Sequence, residues 1–350
     1  MPNPPSPKTV RLCFVGCGAW AKKKYLPELR RMSPDVEVVG FAQIRTKPEK
    51  EQILGIFPQT KFFDSSDELF ATIEVDGGIV SLPHSLIFPA LSSALTHGIP
   101  VMTDKPFTTS ATEGVNILKL AKGSDTVIGV CHQRRYYPGV VALHAAVHET
   151  PQRPRWIAAR FLIDSYPHWR TSWRNDPTYS GSTGYRQGIL LDAGYHLIDA
   201  VLYLMDFELP QKVFCSAGYH DAQVETDAVV TLVFRDGTTA TLLISRGMPA
   251  GVEEESIEVL TDLGYASSRI AARKGEKTKE IGITTHLIGE TAHGTFSTDD
   301  CPMQPVRAFI KHLQGEPFPE IWSAESALPT MKVLDALYES LVSGEVITIQ

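Results

Sequence analysis

The sequence predicts two domains of different class, an α/β domain with a doubly wound parallel sheet followed by an α+β domain with a large, mostly antiparallel sheet. Three observations carry this. The chain has 350 residues, and at about 100 to 200 residues per domain that is enough for two hydrophobic cores. Up to Cys131, short apolar runs alternate with helical patterns; beyond it, strand-like runs follow one another directly. The boundary is placed there, giving domains 1–131 and 132–350.

The first strand is Thr9–Val15, which leads into Gly16-Cys17-Gly18-Ala19-Trp20-Ala21 and then into a basic, helix-prone stretch from Lys22. Val36–Ala42 follows at the spacing of a βαβ unit, and Gly78–Ser81, Pro100–Thr103 and Thr126–Val130 supply further short buried strands. Helical patterns lie between them at Ser66–Ile73, Ile87–His97 and Thr112–Lys122. In the second domain, strands are expected at Trp156–Ile163, Val213–Ala217, Ala228–Phe234, Thr239–Ser245 and Ser256–Leu260. Asp236-Gly237 is a hairpin signal, because both residues tolerate positive φ. Helices are expected at Asp192–Met205 and Ala324–Ser343, and 272–282 reads as a loop or an exposed hairpin.

A composition of 43% hydrophobic and 21% charged residues excludes extended disorder. The net charge of -7 and pI near 5.9 disfavour a nucleic acid or an anionic membrane surface as partner. Small-molecule partners are expected instead. The five cysteines lack paired metal spacing and are odd in number, so neither a disulfide framework nor a metal ion is expected, and a reducing cytoplasm is the expected compartment. No run of about 18 apolar residues predicts a membrane span, and residues 1–10 do not read as a signal peptide.

The spacing Gly16-x-Gly18-x-x-Ala21 after the first strand fits a dinucleotide site of the Rossmann type. Its glycines permit a tight turn and close approach of a pyrophosphate, which rests on the N–H groups of the following helix. The alternative is a glycine turn with no ligand. An acid at the end of the second strand would accept hydrogen bonds from the ribose 2′-hydroxyl, but Gln43 stands there beside Arg45, Thr46 and Lys47. That group suits a 2′-phosphate, so NADP(H) is the expected cofactor, with NAD(H) as the alternative. Arg45 and Lys47 also read as ordinary solvated loop charges.

Asp104-Lys105-Pro106 follows a buried strand, which puts Lys105 at the carboxyl end of the sheet, where open α/β folds bind ligands. On its own the tripeptide reads equally as an exposed turn. In the Asp192–Met205 helix, Asp192, His196 and Asp199 share one face, so two carboxylates could flank an imidazole. A capping Asp192 above a hydrogen-bonded core histidine is the plainer alternative.

Four segments together resemble the glucose-fructose oxidoreductase, inositol dehydrogenase and rhizopine-catabolism (Gfo/Idh/MocA) family: Phe14–Ala21, Val101–Phe107, Gly188–Asp199 and Leu334–Ser340. The resemblance implies an NAD(P)-dependent dehydrogenase or reductase acting on CH–OH groups of a sugar, cyclitol or related polyhydroxy compound. It implies that Lys105 lies beside nicotinamide and substrate, that His196 is the general acid/base and that Asp192 contacts substrate. Gly16, Gly18, Ala19, Trp20, Gln43, Arg45, Pro83, Asp104 and Lys105 are then the cofactor-binding set. Lys105, Arg135, Tyr136, Trp173, Asp192 and His196 are the substrate-binding set. It further implies a second domain that binds substrate and assembles a homodimer or homotetramer, with helix 324–343 returning to the first domain, and a cis Lys105–Pro106 peptide. The chain departs from the family at Asp104, where Glu is usual, at Ile87, where many members have histidine, and at Tyr185-Arg186-Gln187-Gly188, which replaces most of a glycine cluster. Two other readings fit the same fold: a non-catalytic NAD(P)-binding regulator, which the retained Lys105 and His196 oppose, and an NAD-assisted glycoside hydrolase.

Overall fold

The computed structural model describes residues 8–148, 153–181, 185, 187–248, 251–262, 264–273, 280–287, 290–294 and 300–350. They form two compact units: Met1–Thr108 with Thr112–Cys131 and Pro302–Ser326, and Thr109–Ala111 with His132–Cys301 and Ala327–Gln350. No helix among the described residues is long and apolar enough to cross a membrane.

In the first unit the strands are β1 (Val10–Val15), β2 (Val36–Ala42), β3 (Lys61–Phe63), β4 (Gly77–Val80), β5 (Val101–Thr103) and β6 (Ile128–Val130). They pair in parallel in the order β3-β2-β1-β4-β5-β6. The order reverses direction at β1 and β4, the place where open sheets of this class leave a crevice at their carboxyl ends. Leu12, Cys13, Phe14 and Val15 are all fully buried, as consecutive residues of a strand covered on both faces must be. Phe14 stacks on Phe41 at 5.1 Å between ring centroids. Helix Gln304–Leu313 adds Val306, Phe309 and Ile310 to the same core, and a Cβ at Gly77 would stand 2.7 Å from Leu313. The basic stretch expected to be helical opens with a π-helical turn, Ala21–Tyr25, before helix Leu26–Arg31. Strand β3 and helix Lys47–Ile56 had no clear signal: the first is three residues long and the second is polar on most sides.

The second unit holds β7 (Trp156–Ile163), β8 (Lys212–Gly218), β9 (Asp227–Val233), β10 (Thr239–Ser245), β11 (Val252–Thr261), β12 (Gly264–Arg273), β13 (Glu280–Leu287), β14 (Glu290–Gly294) and β15 (Ile347–Thr348). Their order is β14-β13-β12-β11-β7-β10-β9-β8-β15, antiparallel except where β7 meets β10. Asp236-Gly237 makes the β9–β10 turn, with Gly237 at φ 92 and the Asp236 carboxylate accepting from Thr238 N at 2.9 Å. Strands β12 and β13 pair as a hairpin around the stretch read as loop or hairpin; residues 274–279 of it lie outside the described residues.

Burial alternates along β9 and β10, so one face is covered while Val229 and Leu243, cross-strand partners, stay exposed on the other. Helix Tyr195–Leu204 is buried almost throughout. Helix Leu328–Ser343 starts later than expected, because Pro329 is tolerated only in the first turn. It packs on β8 and on helix Tyr195–Leu204, within the second unit; the late segment that joins the first unit is Pro302–Ser326.

Candidate active site

At the end of β1, Gly16 has φ 76, a left-handed conformation that favours glycine. A Cβ there would lie 2.4 Å from Leu82 Cδ2 and 2.5 Å from the Ser81 carbonyl oxygen, so only glycine lets the turn press against the end of β4. Gly18 is exposed and a Cβ on it would meet nothing within 4 Å. The helix starts here, with Lys22 N donating to Gly18 O at 3.1 Å, so the N–H groups before Lys22 have no acceptor within the helix. Ala19 is exposed and Trp20 and Pro83 are half-buried around this turn. The arrangement fits a pyrophosphate: a backbone that comes close without side chains, at a positive helix end.

Beyond β2, Gln43 also adopts positive φ, 62, while its N–H donates to Phe63 O at 3.1 Å. Gln43, Ile44, Arg45, Lys50, Asp64 and Leu86 line a cavity of about 360 Å³. Arg45 is exposed, and Lys50 Nζ stands 5.5 Å from the Phe62 ring centroid. The other two members of the expected phosphate-binding group, Thr46 and Lys47, are not among the cavity's lining residues. Thr46 caps helix Lys47–Ile56 by accepting from Glu49 N, and Lys47 faces Glu51 at 3.8 Å, one turn along the helix. Lys50, one turn along on nearly the same face of the helix, lines the cavity instead.

The Asp104-Lys105-Pro106 turn follows β5. The Asp104 carboxylate accepts from Tyr25 Oη and, at 2.8 Å, from Ser81 Oγ. Tyr25 is fully buried, and burial followed by the Asp104 charge pushes its hydroxyl well above its ordinary pKa, so it remains a donor. Expected to face the cofactor, Asp104 thus ties the turn bearing the half-buried Lys105 to the first helix and to β4. The Lys105–Pro106 peptide is cis, as is Ser33–Pro34. Ile87 is fully buried in the core.

In the second unit, Asp192 lies in a π-helical turn, Leu190–Gly194, that precedes helix Tyr195–Leu204. Its carboxylate pairs with Arg246 Nη2, and Arg174 Nε approaches to 3.1 Å. Arg246 is buried at the end of β10, with its guanidinium 4.9 Å above the Trp169 ring and Nη1 donating to Ser165 Oγ at 3.0 Å. Burial lowers its pKa, opposed by the Asp192 charge. Arg174 in turn stacks on Trp173, 4.5 Å from the ring. Arg246 is not among the residues expected from sequence, and Arg174 is expected only as part of the segment Trp169–Arg174, which resembles a family segment near the substrate cleft. Their only signal is a lone arginine closing an apolar strand and one arginine inside an aromatic-rich segment.

His196 is buried one turn after Asp192, its ring edge-on to Tyr195 at 6.4 Å. The third member of that expected face belongs elsewhere. Asp199 receives Arg135 in a two-pronged pair, Nε to Oδ2 at 3.0 Å and Nη2 to Oδ1 at 2.6 Å, and accepts from Thr330 Oγ1 at 3.1 Å. Burial alone would raise its pKa; Arg135 beside it holds the carboxyl below its usual range. His132 joins this group through Tyr195 Oη at 2.8 Å, and burial followed by the Arg135 charge pushes it down to about 3. Arg135 is 1% exposed. Expected to bind substrate, it is here a buried ion-pair partner of Asp199. Tyr136 and Trp173 are half-buried. Arg186 lies outside the described residues.

Glu225 supports the turn that carries Asp192. Its Oε1 accepts from Gly188 N at 2.7 Å, Leu190 N at 3.1 Å and Tyr338 Oη at 2.7 Å, while Oε2 has no hydrogen-bond partner. Side chains are excluded from Gly188, where a Cβ would stand 2.4 Å from Glu225 O. Full burial pushes the Glu225 carboxyl up to about 7.

Comparison with known proteins supports the same picture. Residues 10–132 match the oxidoreductase family with an NAD-binding Rossmann fold, and residues 153–267 match the Gfo/Idh/MocA C-terminal domain. An uncharacterized oxidoreductase from Schizosaccharomyces pombe is 25% identical over 205 residues, 58% of this chain and 53% of that protein. The chain thus spans about half the length of the first curated relatives it matches. D-xylose 1-dehydrogenase (NADP(+)) 2 from Haloferax volcanii is 22% identical over 81% of this chain and 83% of its own. Among solved structures, a 3-ketoreductase from Actinomadura kijaniata in complex with NADP and TDP-benzene has the same fold, with a TM-score of 0.80 at 20% identity over 95% of this chain and 98% of that one. With two family matches that together cover most of its length, and a parallel sheet and a mostly antiparallel sheet in the order those matches require, the chain belongs to the Gfo/Idh/MocA oxidoreductase family.

Proposed function

We propose that this chain is an NADP(H)-dependent dehydrogenase or reductase that moves a hydride between nicotinamide and a carbon of a sugar, cyclitol or related polyhydroxy compound. The observation that carries the reading is the Gly16 turn, pressed on Ser81 and Leu82 where the sheet order reverses, with open space at Gly18. The bound cofactor supplies the hydride acceptor or donor. His196 takes up the hydroxyl proton when the substrate is oxidised and returns one when it is reduced, a task suited to an imidazole. Lys105 is suited to donate a hydrogen bond to a substrate oxygen, favouring a developing alkoxide. Asp192 accepts from neighbouring hydroxyl groups, its carboxylate fixed by Arg246 and Arg174.

Arg45 and Lys50 beside Gln43 support NADP(H) over NAD(H), since two cations outnumber the one acid of the cavity, Asp64, and the end of β2 carries none. The exposed Phe214, Val229, Leu243 and Leu260 of the second sheet support assembly as a homodimer or homotetramer. Sedimentation velocity should find a species of at least twice the chain mass.

The test is NADPH oxidation, followed by its absorbance, across keto-sugars and oxidised cyclitols. Lys105→Ala and His196→Ala should each lower kcat/KM by about 10²-fold or more while changing the Kd for NADPH little. Failure of the wild-type chain to bind NADPH, or full activity in both variants, overturns the reading.

A further inference from the structure

A second constellation, outside everything used so far, sits where helix Pro138–His148 meets the turn after helix Tyr195–Leu204. His144 and His148 are one turn apart, so both imidazoles leave the same side of their helix. Asp206 and Phe207 are consecutive residues at positive φ, 53 and 58, a conformation that non-glycine residues seldom adopt and aromatic ones least. Backbone bonds hold that turn, among them Phe207 N to Leu202 O at 2.7 Å, and Phe207 is anchored inward over the Arg135 guanidinium at 4.6 Å.

The result of this unusual turn is the position of the Asp206 carboxylate. Its Oδ1 stands 3.3 Å from His148 Nε2 and 4.0 Å from His144 Nε2. One ligand atom from each of the three residues lies within 4.8 Å of the others. Bonds of about 2.0 to 2.2 Å to a tetrahedral ion place ligand atoms roughly 3.3 to 3.6 Å apart, so small rotations of the side chains close the set. The His144 ring plane is fixed by stacking on Tyr203, at 4.2 Å and 16°. Side-chain exposures of 28%, 31% and 62% for His144, His148 and Asp206 leave a path for an ion and room for water to complete its coordination.

We propose that His144, His148 and Asp206 bind one divalent transition-metal ion of the zinc type, which braces the end of helix Pro138–His148 against the turn after helix Tyr195–Leu204. Two imidazole nitrogens and one carboxylate oxygen select zinc, nickel or copper over magnesium and calcium, which prefer oxygen ligands throughout. The site is independent of the redox reading, because none of its ligands is assigned a part in catalysis. Interference from thiols is small, since all five cysteines are buried.

The untagged full-length chain, treated with EDTA and dialysed, is titrated with Zn²⁺ by calorimetry and equilibrium dialysis, with Mg²⁺ as control. One Zn²⁺ per chain is expected, with a rise in Tm that Mg²⁺ does not give. His148→Ala and the exposed-site variant Asp206→Asn should weaken Zn²⁺ binding by at least about tenfold and abolish the Tm shift. His168→Ala, at an exposed histidine outside the cluster, should change neither. Absence of saturable Zn²⁺ binding, undiminished binding in both cluster variants, or an equal loss in His168→Ala overturns the proposal. X-ray absorption of the zinc-loaded chain should show two imidazoles, and a sulfur-rich shell also overturns it.

Discussion

Replacing Glu225 by glutamine should remove a pH-dependent loss of stability from the second unit. The carboxyl is fully buried, three donors converge on Oε1, and Oε2 has no partner, so burial raises its pKa from the usual 4.5 to about 7. A carboxyl with a raised folded-state pKa binds a proton more tightly folded than unfolded. Its contribution is therefore complete below the unfolded value, near 4.5, declines as pH rises, and is gone above about 7. A difference of about 2.5 units at 1.36 kcal/mol each corresponds to roughly 3 kcal/mol, most of it lost between about pH 5 and pH 8. In Glu225→Gln the amide oxygen keeps the three donors and no charge forms. Urea midpoints followed by tryptophan fluorescence should nearly coincide for variant and wild type near pH 5, with the variant ahead by about 2 to 3 kcal/mol near pH 8. A gap that does not change with pH, or a variant that is weaker at the alkaline end, refutes the reasoning.

The cofactor assignment predicts that Arg45→Ala combined with Lys50→Ala raises the Kd for NADP⁺ about tenfold to hundredfold, the worth of one or two charge-assisted contacts, and leaves that for NAD⁺ within about twofold. Fluorescence titration with both nucleotides checks this, and an unchanged preference removes both residues from the argument. Arg135→Met should cost about 3 to 5 kcal/mol of stability by stranding the Asp199 carboxylate, whereas the double variant with Asp199→Leu recovers most of it. Denaturant unfolding reads this difference; an effect on KM alone would return Arg135 to the substrate.

The parallel sheet was legible because its two long strands are apolar apart from one exposed charge each, Arg11 and Glu37, and its first turn needs glycine for steric reasons that leave a mark in sequence. Lys47 and Lys50 lie one helical turn apart on nearly the same face, so which of them reaches the cavity depends on where the helix begins. That start is set by the Thr46 cap, a detail of one hydrogen bond. The resemblance implies a substrate contact for Arg135, and no local pattern reveals that Asp199, 64 residues later, pairs with it in the core. Arg246 and Asp192 are 54 residues apart and meet only through the sheet register. Helix Gln304–Leu313 carries a regular apolar stripe at Val306, Phe309, Ile310 and Leu313. Nothing in that stripe says which of two sheets it covers.

The division of the chain has a consequence for its synthesis. The nucleotide-type sheet finishes with Val130, yet its core takes Val306, Phe309 and Ile310 from a segment that begins only at Pro302, about 170 residues later. At about 5 to 20 residues per second on a ribosome, that sheet waits roughly ten to thirty seconds for its last helix, with Gly77 and its neighbours uncovered. A polypeptide released at residue 131 would keep that bare apolar patch permanently, so a nascent chain of this length is where a chaperone would be needed most.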